Sequence, residues 1–126
     1  MLRESPLYSY FPARDLVRAR RFYEETLGFT PKSETNGGVT YEFGGGTAAF
    51  LYVTDNAGTS KASQAFWSVE DVDREIAELK KRGVVFERYD DMPGERSSEG
   101  AVTAGGAKAA WFKDSEGNIL AIVQSL

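Results

Sequence analysis

The chain has 126 residues, enough to bury a substantial core and few enough for one domain. It contains no Cys and no His, which excludes disulfides and thiolate chemistry and removes the commonest general base and transition-metal ligand. A net charge of −4 argues against nucleic acid as a partner, and no apolar run approaches the roughly 20 residues of a membrane span.

The first residues carry Arg3, Glu4 and Pro6 where a signal peptide would be apolar, so a cytoplasmic protein is expected. A short aromatic run follows, Tyr8-Ser9-Tyr10-Phe11, and leads to Asp15, a natural N-cap. Behind it Leu16, Ala19, Phe22, Tyr23 and Leu27 recur as one face of a helix that stops at Gly28. The basic residues Arg14, Arg18, Arg20 and Arg21 fall between these positions and read as a solvated face. Three strand-like runs come next, at 29–35, 39–43 and 47–53, divided by the glycine-rich connections 36–38 and 44–46.

The pattern then repeats. Gln64-Ala65-Phe66-Trp67 lies over Tyr8-Ser9-Tyr10-Phe11, and Asp71 lies over Asp15 as a second N-cap. Val72, Ile76 and Leu79 form the apolar stripe of a second helix, one residue shorter, which stops at Gly83. Strands are predicted at 84–89, 107–113 and 119–124, the last two joined by the turn Asp114-Ser115-Glu116-Gly117-Asn118. Residues 90–106 are rich in Gly, Ser, Glu and Asp and read as a long loop, either a lid or a plain flexible connection. Each half is therefore β-α-β-β-β, and the fold class is α+β.

Two motifs carry a family resemblance over roughly residues 6–124. One is Arg14-Asp15-Leu16 before a helix with Phe22-Tyr23 that ends Leu27-Gly28-Phe29. The other is the strand-turn-strand Ala110-Trp111-Phe112-Lys113-Asp114-Ser115-Glu116-Gly117-Asn118-Ile119-Leu120. Together they resemble the vicinal oxygen chelate superfamily of glyoxalases, bleomycin-resistance proteins and extradiol dioxygenases. The resemblance implies a single domain over 1–126 of tandem βαβββ modules, one at about 6–54 and the other at about 63–125. Their curved mixed sheets would surround a central cavity, and modules of this superfamily often pair between chains, which implies a homodimer.

In metal-dependent members of the superfamily, His, Gln or Glu ligands stand on the first and fourth strands of each module. Those positions fall here on Tyr8, Tyr52, Gln64 and Ala121. Two phenols, one amide and one methyl group do not make a divalent-metal site, so neither metal nor other cofactor is expected. Strand alternation adds Tyr10, Phe50 and Phe66 to the same face, which gives an aromatic surface with sparse polar tips. The expected partner is a small organic molecule, bound for instance as a sequestered drug. Aromatic packing as ordinary core is the competing reading. A lyase-, isomerase- or dioxygenase-like enzyme is the alternative function, with Tyr8 or Tyr52 as proton donor and Glu42 or Glu99 as acceptor, or with an unrecognised metal site.

Overall fold

The computed structural model describes residues 1–126. They form two compact units, Met1–Thr59 with Ser115–Asn118 and Ser60–Asp114 with Ile119–Leu126.

The first unit contains β1 (Tyr8–Ala13), α1 (Leu16–Arg20), β2 (Pro31–Thr35), β3 (Gly38–Glu42) and β4 (Ala48–Val53). Its sheet, sheet A, has the order β1-β4-β3-β2, with β1 parallel to β4 and the other pairs antiparallel. Pro12 has no N–H to give a ladder and sits on β1, at an edge of this sheet. Gly38 opens β3 because a Cβ there would lie 1.8 Å from the Leu51 carbonyl oxygen.

One face of sheet A is covered by the helix. Phe11, Ala13, Val39, Tyr41 and Leu51 are buried there with Ala19 and Tyr23. Tyr23 stacks on Phe11 with ring centroids 5.0 Å apart. Seating Tyr23 and Phe22 has a local signature, since α1 runs on into a π-helical turn, Arg21–Thr26, closed by Leu27 N–H donating to the Phe22 carbonyl at 3.0 Å.

The second unit contains β5 (Ala65–Ser68), α2 (Val72–Lys81), β6 (Glu95–Arg96), β7 (Val102–Ala104), β8 (Ala107–Lys113) and β9 (Ile119–Ser125). Sheet B has the order β5-β9-β8-β7-β6, again with a parallel first pair. Val72, Ile76, Val84, Ala110, Phe112, Leu120 and Ile122 form its core. Helix α2 is held to this face by Gln124 Oε1, which accepts from Val72 N–H at 3.0 Å, and by the Lys108–Asp73 ion pair.

Both predicted caps form. Asp15 accepts from Arg18 N–H at 3.0 Å and Asp71 from Arg74 N–H at 3.1 Å. Gly28 and Gly83 stand at φ of 80° and 95°, the left-handed conformation that ends a helix. After Gly83 the N–H of Val84 returns to the Leu79 carbonyl at 3.0 Å.

Two expectations fail in the second unit. Residues 84–89 do not form a strand and make one isolated bridge, Phe86 with Phe112. Residues 90–106, expected as a loop, contain the hairpin β6–β7 instead. The polar composition concealed two anchors. Ala101 and Val102 are buried, and Arg96 donates to the Tyr89, Met92 and Gly94 carbonyls at 2.8, 2.9 and 3.0 Å.

Candidate functional site

The open face of sheet A carries the aromatic residues expected there. Strand register pairs Tyr8 with Ala48, Tyr10 with Phe50 and Pro12 with Tyr52. Tyr10 lies 4.8 Å from Tyr52 and 6.3 Å from Phe50 between ring centroids. Tyr8 and Tyr10 remain 59% and 63% exposed, while Phe50 and Tyr52 are half-buried. These four are therefore outside the core, whose largest aromatic side chains are Tyr23, Tyr41, Phe11 and Phe112.

The equivalent face of sheet B carries Gln64, Phe66 and Ala121. Phe66 is the register partner of Ala121, and Gln64 N–H donates to the Ile119 carbonyl at 2.8 Å. Phe66 is 63% exposed and Gln64 is exposed, but Ala121 is buried. Ala121 pairs on its other side with Trp111 of β8, so a small residue lies between two aromatic ones.

Sequence reading missed Lys32. The β2–β3 register slips between Pro31 and Ser33, and this bulge lies at Lys32, whose ammonium pairs with Glu42. The hydrogen bond and charge of Glu42 raise the Lys32 pKa, with a smaller contribution from Tyr8. Alternation alone cannot find such a pair, because the bulge resets which face each residue takes. Glu99, the other carboxylate considered as an acceptor, lies in the second unit and pairs with Lys80 at 3.6 Å.

Tyr8, Tyr52, Gln64 and Ala121, the positions to which the resemblance would assign a metal, present two phenols, an amide and a methyl group, and this donor set does not fit a divalent ion. No group of three or more Asp and Glu side chains lies close enough together to substitute for it.

The turn Ser115–Asn118 has a structural role in the first unit. Glu116, with its side chain fully buried, accepts from Arg14 N–H at 2.9 Å and Asp15 N–H at 3.0 Å, and from Arg18 Nε at 2.7 Å. Burial pushes its carboxyl up, but the bonds from Arg18, Asp15, Ser115 and Arg14 outweigh it and bring the pKa down to about 2. Asn118 donates to the Pro12 carbonyl at 2.7 Å and accepts from Gly58 N–H at 3.1 Å. The acidic residue and the Asn of the motif thus fasten the start of α1 and the end of β1.

This pairing of motif and repeat agrees with the match to known proteins. Residues 9–122 match the model of the Glyoxalase/Bleomycin resistance protein/Dioxygenase superfamily. The chain belongs to this superfamily. Among solved structures, the glyoxalase/bleomycin resistance protein/dioxygenase from Alicyclobacillus acidocaldarius is 21% identical with a TM-score of 0.73, covering 97% of this chain and 92% of its own. The glyoxalase family protein from Enterococcus faecalis is 20% identical with a TM-score of 0.71, at 98% and 99% coverage. TnmS3, an antibiotic binding protein from Streptomyces sp. CB03234, is 22% identical with a TM-score of 0.67, at 95% and 96% coverage. At these identities the likeness establishes the glyoxalase/bleomycin-resistance-like fold. No curated protein matches the chain. No helix is long and apolar enough to cross a membrane.

Proposed function

We propose that this superfamily member is a metal-free binding protein that takes a small organic molecule against the open face of sheet A. The observation that carries this reading is the aromatic group Tyr10, Phe50 and Tyr52, in which the Tyr10 ring meets Phe50 edge-on and Tyr52 at a tilt, outside the core and with Tyr8 on the same strand. Such a surface offers stacking area at small entropic cost, with phenol hydroxyls to orient the ligand. Gln64, Phe66 and Ala121 on the equivalent face of sheet B are proposed to serve the same role. TnmS3, an antibiotic binding protein of the same fold, supports an antibiotic as the ligand class. The enzymatic alternative gains no support from its proposed acceptors, since Glu42 and Glu99 are each held by a lysine.

Replacing Tyr52 by Ala is expected to weaken a ligand found by screening aromatic compounds by about 1–3 kcal/mol, the scale of a lost anchor. Titration calorimetry measures this. Unchanged affinity for a confirmed ligand, together with a large loss of stability, would mean that Tyr52 serves packing and would remove the proposed site.

The same exposed rings imply an assembly. Each sheet has a helix on one face only, and Tyr8, Tyr10 and Phe66 stand more than half exposed on the other. Such apolar surface is commonly covered by a second copy. A homodimer is proposed, and light scattering should give twice the 13.9 kDa chain mass at micromolar concentration. A mass of one chain would overturn it.

A further inference from the structure

The second unit contains a cleft distinct from the aromatic faces just described. It occupies about 860 Å³ between the C-terminal half of α2, the irregular segment 84–90 and the segment 92–100. That is within the size range of sites for drug-sized molecules. Its inner wall includes Ile76 and Ala110. Ala110 pairs with Ile122 on the face covered by α2, opposite to the face of Phe66 and Ala121. The cleft exists because 84–89 fails to complete the sheet. Beside β8 this segment makes the single Phe86–Phe112 bridge, and β7 pairs only with residues 107–109.

The outer wall is built rather than slack. Arg96 gathers the carbonyls of Tyr89, Met92 and Gly94. Ser97 donates to Asp73 Oδ1 at 2.5 Å and accepts from Ala101 N–H at 3.0 Å. Lys80 Nζ reaches the Glu99 carbonyl at 3.3 Å. A wall fixed by this many bonds loses little entropy when a ligand arrives.

The charges at the cleft select the ligand's chemistry. Lys80 pairs with Glu99 at 3.6 Å, Arg88 with Asp90 at 3.1 Å, and Glu87 with Lys113 at 3.3 Å. Arg96 is committed to its three carbonyls. With these side chains paired and the Arg96 N–H groups taken by carbonyls, the cleft offers a charged ligand no unpaired partner, while exposed pairs of this kind add little affinity. Val85 and the half-buried Phe86 supply apolar and aromatic surface over a floor of the buried Ile76, Val84 and Val102. We propose that this cleft is a ligand site in its own right and takes an uncharged aromatic molecule.

The test uses the full chain labelled with ¹⁵N and three probes of one shape: naphthalene-2-carboxamide, naphthalene-2-carboxylate and 2-naphthylmethylammonium. The carboxamide is expected to produce saturable shifts of the amides of 84–100, with affinity at least about fivefold higher than either charged probe. Val85 is 79% exposed, so Val85→Arg keeps the fold while placing a long cation in the cleft. It should weaken the carboxamide at least about tenfold, whereas Tyr10→Ala on sheet A should leave it unchanged. Absence of saturable shifts at 84–100, or equal affinity in Val85→Arg, overturns the site. Equal affinity for the charged probes overturns the ligand class. Loss of binding in Tyr10→Ala would place the probe on sheet A and likewise overturn the cleft, so this test and that of the proposed function fail separately.

Discussion

Replacing Glu116 by Ala is expected to destabilise the protein by about 3–5 kcal/mol, chiefly because buried backbone donors lose their acceptor. The carboxylate is fully buried and accepts from two backbone N–H groups at the start of α1 as well as from the Arg18 guanidinium. Alanine leaves those two donors without their acceptor, and each unsatisfied group costs about 1–3 kcal/mol. Arg18 is half exposed and can recover water, so its share of the loss is the smaller one. Urea denaturation followed by circular dichroism measures the change. A loss below about 1 kcal/mol would show that the turn is not what holds the helix.

The same residue determines part of the acid sensitivity. Its folded pKa of about 2 lies below the ordinary value of 4.5. A depressed carboxylate contributes stability that is fully present above the unfolded pKa and is lost as pH falls through the folded one. The difference corresponds to about 2–3 kcal/mol once screening at half-exposed Arg18 is allowed for, lost between about pH 4.5 and 2. Glu116→Gln should therefore flatten this limb of the stability curve. Some slope should remain, because Glu24 and Asp73 are also lowered. Burial raises Glu24, but bonds from Arg20 and Tyr41 outweigh it, while Lys108 and Ser97 lower Asp73.

Legibility in the sequence followed the reach of each interaction. The caps at Asp15 and Asp71 and the stops at Gly28 and Gly83 depend on neighbours within a few residues, and all were readable. So was the open face of sheet A, because strand alternation places Tyr8, Tyr10, Phe50 and Tyr52 together without knowledge of anything distant. The motif 114–118 was legible as a signature but not as a mechanism. Glu116 acts on Arg14 and Asp15, which are about a hundred positions away, and no local pattern encodes that meeting. Segment 84–89 looks like a strand by composition, yet a strand needs a continuous partner, and β8 is shared with β7. The Lys32–Glu42 pair was hidden by a bulge, which moves side chains between faces without changing the apolar pattern that strand reading relies on.

Helix α2 separates burial from periodicity. Val72, Ile76 and Leu79 are equivalent in the sequence pattern, but Val72 and Ile76 are almost fully buried while Leu79 is half-buried. The reason is positional. Leu79 stands in the last turn, where its carbonyl receives the returning Val84 N–H and the chain begins to leave the sheet. Ile76 faces the core of sheet B and also forms part of the inner wall of the cleft. Ile76→Ala should cost about 2–5 kcal/mol, because transfer energy is lost and a cavity is left that the rigid sheet cannot fill. Leu79→Ala should cost clearly less, about 1–2 kcal/mol, since water reaches part of the vacated volume. Paired urea titrations give both values on one scale. Equal losses would mean that α2 packs more deeply at its C-terminal end than its exposure indicates. A loss at Ile76 near zero would mean that the helix contributes little to the unit, and the cleft wall it forms would then be too weakly held to act as a site.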